Sequence, residues 1–295
     1  PILSNPIMKG FLTSIIFTAA ALSAAASSPS EVRFHNEESD TLRINEILIS
    51  AKAENGNAKP EVLISYIGKQ LLGTPYEAST LEGSPERITV NMDGMDCTTF
   101  VENVAAMAFT VGEGRTSWRD FLYNLERMRY RGGKLNGYAS RLHYVSDWII
   151  DNAHRGIIKE VTSNFPGVQY AIKTIDFMSA HRDQYPALAD SAEYERMRSA
   201  EIGYRNHRFP YIKSSKCSSK DVIKAMRDGD IVAITTKTPG LDVQHLGIIV
   251  MKDGIPHLMH ASSAKKSVVI DSEPLSEYMR KNRSASGIRV IRLVD

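Results

Sequence analysis

Cys97 stands in "NMDGMDCTTFVENVAAMAF", Asn91–Phe109, between Asp96 and a Thr-Thr pair, and it is one of only two cysteines in the 295 residues. Phe100, Val101, Val104, Ala105 and Ala108 follow at helical spacing, which predicts a helix starting close to Cys97. Thr99-Phe100-Val101-Glu102 fits the T-x-x-E pattern in which first and fourth residues cap each other's backbone amides. A helix N-terminus offers unpaired N–H groups and a partial positive charge, and both favour a thiolate. A free thiol, with a pKa of about 8.5, is mostly neutral, so the placement suits a nucleophile. A buried structural cysteine with Asp96 as an ordinary cap accounts for the same stretch.

A nucleophilic thiol needs a base that is close in space rather than in sequence. Of eight histidines, His35 and His207 lie in polar stretches and read as solvated, while His154 and His181 have no chemical neighbours. His143 stands in "SRLHYVSDW" beside Arg141 and Tyr144. His245, His257 and His260 fall in "HLGIIVM" and "PHLMHASS", which read as two strands of a hairpin turning at Lys252–Ile255. With Met251 opposite Pro256, His245 faces Ser262 and His260 is its diagonal neighbour on the same face. A one-residue slip would separate them. His257, three positions from His260, points the other way and is expected to be a partly exposed structural residue. His245 and His260 are therefore the candidate pair, one as base and the other as its orienter.

The elements that must position these residues change character along the chain. Residues 27–58 are polar and read as a loose lead-in with one short helix. "EVLISYIGKQLLGTPY" reads as a helix ended by Gly73 and Pro75, and "WRDFLYNLERMRY" and "HYVSDWIIDNAHRG" as two more. The pattern from about Lys159 to Lys220 is weak and suggests mixed structure. After it come "GDIVAITT", "HLGIIVM", "PHLMHASS", "KSVVIDS" and "GIRVIRLV", short Val- and Ile-rich runs that read as an antiparallel meander. Helices followed by strands give an α+β domain.

The net charge of +2 is too weak to argue for nucleic acid. "MKGFLTSIIFTAAALSAAASS", from Met8, carries Lys9, an apolar run and a small-residue end at Ala24-Ala25-Ala26, which reads as a signal peptide over residues 1–26. The run is short for a membrane span. Export would permit a Cys97–Cys217 disulfide. The polar surroundings of Cys217, "KSSKCSSKD", argue instead for two separate thiols. No H-E-x-x-H or comparable spacing appears, so neither a metal nor another cofactor is expected.

"GTPYEA" (Gly73–Ala78), "DCTTFV" (Asp96–Val101), "GDIVAI" (Gly229–Ile234), "QHLGIIV" (Gln244–Val250) and "LMHAS" (Leu258–Ser262) occur in that order. The series resembles the NlpC/P60 superfamily of papain-like cell-wall hydrolases. "DCTTFVE" and "RLHYVSDW" (Arg141–Trp148) resemble most its N-acetylmuramoyl-L-alanine amidase-like branch, the former domain of unknown function 1460. The resemblance covers about Lys59 to the C-terminus. It implies a papain-like fold, with N-terminal helices packed on a C-terminal antiparallel sheet. It implies Cys97 as nucleophile, His245 as general base, His260 as the residue orienting the base, and Tyr76 beside the thiol for substrate or oxyanion, with Asp96 adjoining. It also implies an exported, periplasmic or extracellular enzyme, expected as a monomer, whose substrate is peptidoglycan. Cys97 and His245 are 148 positions apart, which implies a large insertion at about Ser117–Lys220 that builds the substrate cleft.

Two peptidoglycan amides are candidates: N-acetylmuramic acid to L-alanine, which the branch favours, and D-glutamate to the diamino acid. A wall-binding module with a vestigial site and a zinc amidase are the other classes. The first is disfavoured by the intact Cys97, His245, His260 and Tyr76, and the second by the missing ligand spacing. Stem peptides carry carboxylates, and a guanidinium matches a carboxylate with two parallel hydrogen bonds. Arg141, with His143 or Tyr144, is therefore expected to line the cleft. The competing expectation is that Trp148 packs in the core and Arg141 pairs with Asp147.

Overall fold

The computed structural model describes residues 32–294. The signal-peptide expectation for residues 1–26 lies outside the described residues.

The segment before residue 59 is part of the core rather than a loose lead-in. Strand β1 (Val32–Phe34) pairs in parallel with β2 (Ile88–Val90). Helix α1 (Glu37–Asn55) is capped by Asn36, whose side chain accepts from the Ser39 amide. Ile44, Ile47, Leu48 and Ala51 recur at helical spacing on one face and are buried in the main core. Leu42 and Ile49 stand exposed among polar and charged residues on the remaining face, and Asp40 is buried among the apolar ones, which masks the pattern in the sequence. Asp40 is satisfied there by the Met92 and Asn36 amides.

Helix α2 (Pro60–Gln70) has proline in its first turn, where no amide partner is needed. Helices α3 (Cys97–Gly112), α4 (Trp118–Arg129) and α5 (Val145–His154) follow. Next come β3 (Ile158–Glu160), β4 (Gln169–Lys173), α6 (Phe177–Ala180), α7 (Ser191–Ile202), β5 (His207–Lys213) and α8 (Lys220–Ala225). The last part is β6 (Ile231–Thr236), β7 (Val243–Lys252), β8 (Ile255–Ser262), β9 (Ser267–Pro274), α9 (Leu275–Lys281) and β10 (Ala285–Leu293).

The fold is α+β, with helices against an antiparallel sheet of order β4-β5-β10-β6-β7-β8-β9, and β3 also on β10. Strands β6 to β9 form the expected meander. β10 leaves it: the chain crosses through α9 and returns to the free edge of β6. Two earlier strands, β4 and β5, then extend the same sheet, so the sheet is not built from the C-terminal part alone. Met251 pairs with Pro256, the register read from the sequence.

Helix α3 lies at the centre, against α1, α2 and α4 on one side and β7 and β8 on the other. It is buried nearly all round from Thr99 to Ala108, which is why its apolar residues do not stop at one stripe. The buried Glu102 on it bonds Arg129 of α4 at 2.6 Å. A separate cluster packs Tyr138, Tyr144, Ile175, Met178, Leu188, Met197 and Tyr204.

Candidate active site

Asp96 caps α3: its side chain accepts from the Thr99 amide at 2.8 Å, and its own amide donates to Thr99 Oγ1 at 2.9 Å. The reciprocal cap therefore uses Asp96 and Thr99, three residues earlier than Thr99 and Glu102, because Glu102 points inward to Arg129. Cys97 is thus the first residue of the helix. Its surface is partly open while its surroundings are crowded. Burial, and secondarily the Asp96 carboxylate, push the thiol up to about 11. Hydrogen bonds from the Leu246 amide, the Thr98 side chain and its own amide oppose this without overturning it. The helix N-terminus therefore does not offset the burial, and the thiol rests neutral.

The Leu246 contact sets the thiol against β7, one residue from His245. His245 Nε2 and His260 Nδ1 are 2.6 Å apart, across β7 and β8. The shared face comes from the register, and the rings meet edge to face with centroids 4.9 Å apart. His260 Nε2 is 2.9 Å from Asp271 Oδ2 on β9. Lys265, in the β8–β9 turn, bonds the other oxygen of Asp271. Tyr278 of α9 covers the pair, parallel to His245 with centroids 6.3 Å apart and edge-on to His260 at 5.5 Å.

Burial, reinforced by the neighbouring His260 and only partly offset by Asp271, lowers His245 to about 3, so it rests as a neutral imidazole. Burial alone would raise the Asp271 carboxyl, but the hydrogen bonds from His260 and Lys265 outweigh it and hold it at about 2. Burial, then Asp271 and Cys97, push the Tyr278 phenol up to about 12.

Tyr76 reaches the thiol along the Gly73–Tyr76 segment. Gly73, at φ +84°, turns the chain out of α2 in a conformation that favours glycine. The segment then runs between the start of α3 and the β8–β9 turn, with the Gly73 amide on Val268 O, the Tyr76 amide on Lys266 O and the Met95 amide on Pro75 O. Burial raises the Tyr76 phenol, and Cys97 and Asp96 add to this, so the three side chains share one electrostatic environment. This segment ties the helix that starts at Cys97 to the turn that carries Lys265.

The structure brings together Cys97, Asp96, Tyr76, His245 and His260. Asp271, Lys265 and Tyr278 join them without having been singled out from the sequence. His257 does point away from the pair, but it is buried rather than partly exposed, with Nδ1 2.9 Å from the Asp271 carbonyl.

Arg141, His143 and Tyr144 form a different neighbourhood. Arg141 is buried, bonds Glu82 at 2.8 Å, lies 3.3 Å from Glu86 and covers the Tyr138 ring. It does not pair with Asp147, which takes Arg131 and the Tyr204 hydroxyl instead. His143 Nε2 is 2.9 Å from the Tyr138 carbonyl, and burial followed by the Arg141 charge drives its pKa well down. Tyr144 donates to Glu201 at 2.7 Å and accepts from the Met178 amide. Trp148 packs in the main core. Cys217 is a free thiol, as is Cys97, and it is fully buried among Ile212, Val222, Met226 and Ile288 despite its polar sequence neighbours. Among the described residues no group of three or more His, Cys, Asp or Glu could hold a metal ion, and no helix is long and apolar enough to cross a membrane.

A Bacteroides uniformis N-acetylmuramoyl-L-alanine amidase of solved structure is 38% identical, with a TM-score of 0.75 over 80% of this chain and 99% of its own. A Bacteroides fragilis structure that carries the name of a xylanase is also 38% identical, with a TM-score of 0.71 over 76% of this chain and 98% of its own. A Legionella pneumophila protein at 22% identity and TM-score 0.68, covering 88% of this chain and 96% of its own, shares the fold. No curated protein matches the chain. The family described as N-acetylmuramoyl-L-alanine amidase-like matches residues 66–288, which include Cys97, His245, His260 and Asp271, and the chain belongs to that family.

Proposed function

We propose that this protein is an exported cysteine hydrolase of the papain-like NlpC/P60 arrangement that cuts the amide between N-acetylmuramic acid and L-alanine in peptidoglycan. The observation that carries the reading is the hydrogen-bonded row of His245, His260 and Asp271 beside a thiol at a helix N-terminus. In this reading Cys97 passes its proton to His245 as Sγ attacks the lactyl carbonyl. The oxyanion forms near the Cys97 amide, which has no partner within the helix, and near the Tyr76 hydroxyl. The imidazolium returns the proton to the alanine nitrogen as the C–N bond breaks, and the stem peptide leaves with a free amine. Water then attacks the thioester with His245 as base, releasing the muramoyl carboxylate and the thiol. Burial suits this sequence, because a neutral thiol and a neutral imidazole cost less in a crowded site than a resting ion pair.

The domain, which includes β1 and α1 ahead of residue 59 and has the segment at about 117–220 as one wall of the cleft, acts as a monomer in the periplasm or outside the cell. Arg141, His143 and Tyr144 enter this reading as support for that wall, since Arg141 is buried against Glu82 and Glu86, His143 against the Tyr138 carbonyl and Tyr144 against Glu201. A glycosidase, as the name of the Bacteroides fragilis neighbour suggests, needs two carboxyl groups flanking the sugar bond. The carboxylate in the row here, Asp271, is enclosed by His260 and Lys265, which favours acyl transfer.

Digestion of purified peptidoglycan followed by mass spectrometry tests the proposal. The expected products are stem peptides beginning with L-alanine and glycan without peptide. Disaccharide-dipeptides would mean the D-glutamyl bond is cut instead, and shortened sugar chains a glycosidase. EDTA should leave the activity intact.

A further inference from the structure

We propose that Asp271, itself held by Lys265, fixes the tautomer of His260 and through it that of His245, so that the Nδ1 of the base is kept free of a proton. The inference rests on the reading of His245 as the base. It follows from which atoms in the row can donate and which can only accept.

An ionised carboxylate is acceptor-only. His260 Nε2, 2.9 Å from Asp271 Oδ2, must therefore carry the proton of that hydrogen bond. In a neutral imidazole the other nitrogen is then an acceptor, so His260 Nδ1 takes a hydrogen bond. Its partner is His245 Nε2 at 2.6 Å, which must donate. That leaves Nδ1 of His245 with a lone pair, the form a thiol proton needs. One carboxylate thus sets the proton positions on two rings in succession, each step enforced by a short contact.

Asp271 is held from two further sides. His257 Nδ1 is 2.9 Å from its backbone carbonyl, and Lys265 bonds the side-chain oxygen that His260 does not use. Lys265 gives the arrangement a direction. An ammonium offers three donors and no acceptor. A side-chain amide at position 271 would therefore turn its oxygen to Lys265 and its NH2 to His260 Nε2. His260 would then accept at Nε2 and donate from Nδ1, His245 would accept at Nε2, and the proton of His245 would sit on Nδ1, the atom that the proposed reading needs free. Asp271 and Lys265 are positioning residues: they act through the histidines and touch neither thiol nor substrate.

Asp271→Asn is near-isosteric and should reduce kcat on a purified muropeptide by about 10²–10⁴-fold, the range of a lost general base, with KM little changed. Removing the lysine as well frees the amide to offer its oxygen to His260. The double variant Asp271→Asn/Lys265→Met should therefore recover about tenfold or more of the lost kcat. A residue that merely holds the fold would not be rescued by a second deletion. Long-range 1H–15N spectra of the histidine rings give a readout independent of activity. Wild-type protein should show Nε2–H on both His245 and His260, and Asp271→Asn should show Nδ1–H on both. A wild-type His245 protonated at Nδ1 overturns the inference, and so does a double variant no faster than the single one. If the wild-type protein cuts no muropeptide, the functional reading fails while the ring spectra still decide this one.

Discussion

The site around Cys97 and the cluster around Arg141 draw on the same residue types: cations, carboxylates, histidine and tyrosine. They differ in how the hydrogen bonds are arranged once the chain has folded. In the Arg141 cluster the guanidinium faces Glu82 and Glu86, His143 takes the Tyr138 carbonyl, and Tyr144 donates to Glu201 and accepts from the Met178 amide. Around Cys97 the hydrogen bonds run in one line, Lys265 to Asp271 to His260 to His245, and stop at a ring beside a half-open thiol. Dense chemical composition marks both places, and the Arg141 cluster leaves Arg141 Nε and Glu86 Oε2 buried without a hydrogen bond; a line of hydrogen bonds that ends near a partly open thiol marks one.

The largest effects should come from that line. Cys97→Ser should bring muropeptide cleavage below detection, because a hydroxyl there has no comparable nucleophilicity. His245→Ala should lower kcat by about 10²–10⁴-fold. Neither should lower the melting temperature much, and near-full activity in either variant breaks the comparison at its first term.

Arg141→Ala should behave the opposite way. Removing one partner of a buried ion pair typically costs about 3–5 kcal/mol, and here Glu86 would keep only the Tyr130 hydroxyl and the Arg129 charge. The variant should melt several degrees lower while iodoacetamide still alkylates Cys97 at the wild-type rate. If it melts normally and kcat/KM falls, Arg141 contacts substrate and the cluster is part of the cleft.

The comparison also explains what the sequence could reveal. The hairpin register was legible, because two apolar runs around Lys252–Ile255 fix it, and with it the meeting of His245 and His260. Helices α2 to α5 were legible from apolar spacing and turn residues. A helix was legible in the α1 stretch, but its length and burial were not, since exposed Leu42 and Ile49 and buried Asp40 blur its stripe and its burial depends on α2, α3 and α4. Asp271 was hidden for another reason. In "KSVVIDSEP" it looks like any strand residue near a turn, and only pairing of β9 with β8 brings it to His260. Of the Arg141 segment, the residue types were readable and the partners were not, because Glu82 and Glu86 come from a loop some sixty positions earlier.

A pH series sharpens the first region. With His245 at about 3 and Cys97 at about 11, the neutral thiol and neutral imidazole predominate between those values. kcat/KM should be nearly flat from about pH 5 to about pH 9. A limb near 6.5 would report a histidine of ordinary affinity. Stability should follow the same group. The folded-state value of His245 lies below its ordinary 6.5, so the unfolded chain takes up the proton first as pH falls. The contribution is present above 6.5 and is lost progressively toward about 3. Asp271 adds a further loss between 3.8 and about 2. His245→Gln should melt with a weaker dependence on pH over the first of these windows.

The smallest effect is expected at Cys217, a thiol built like a core residue. It has no base beside it, and its Sγ lies 3.7 Å from the Lys213 carbonyl within an apolar cluster. Burial pushes it up to about 12, so at neutral pH it is both covered and uncharged. Only the thiolate reacts readily with alkylating reagents. Cys97 is also neutral at rest, but it is partly open and, in the proposed reading, can pass its proton to His245, whereas Cys217 is covered. Native protein without reductant should lose one thiol to iodoacetamide, at Cys97, and expose a second only after denaturation. Cys217→Ala removes a small apolar contact and should cost about 1 kcal/mol of stability, with cleavage unchanged. If Cys217 is alkylated as fast as Cys97 in the native state, the second apolar cluster opens more readily than its burial implies. If no thiol titrates even after denaturation, the two cysteines are bridged, and Cys97 cannot be the nucleophile.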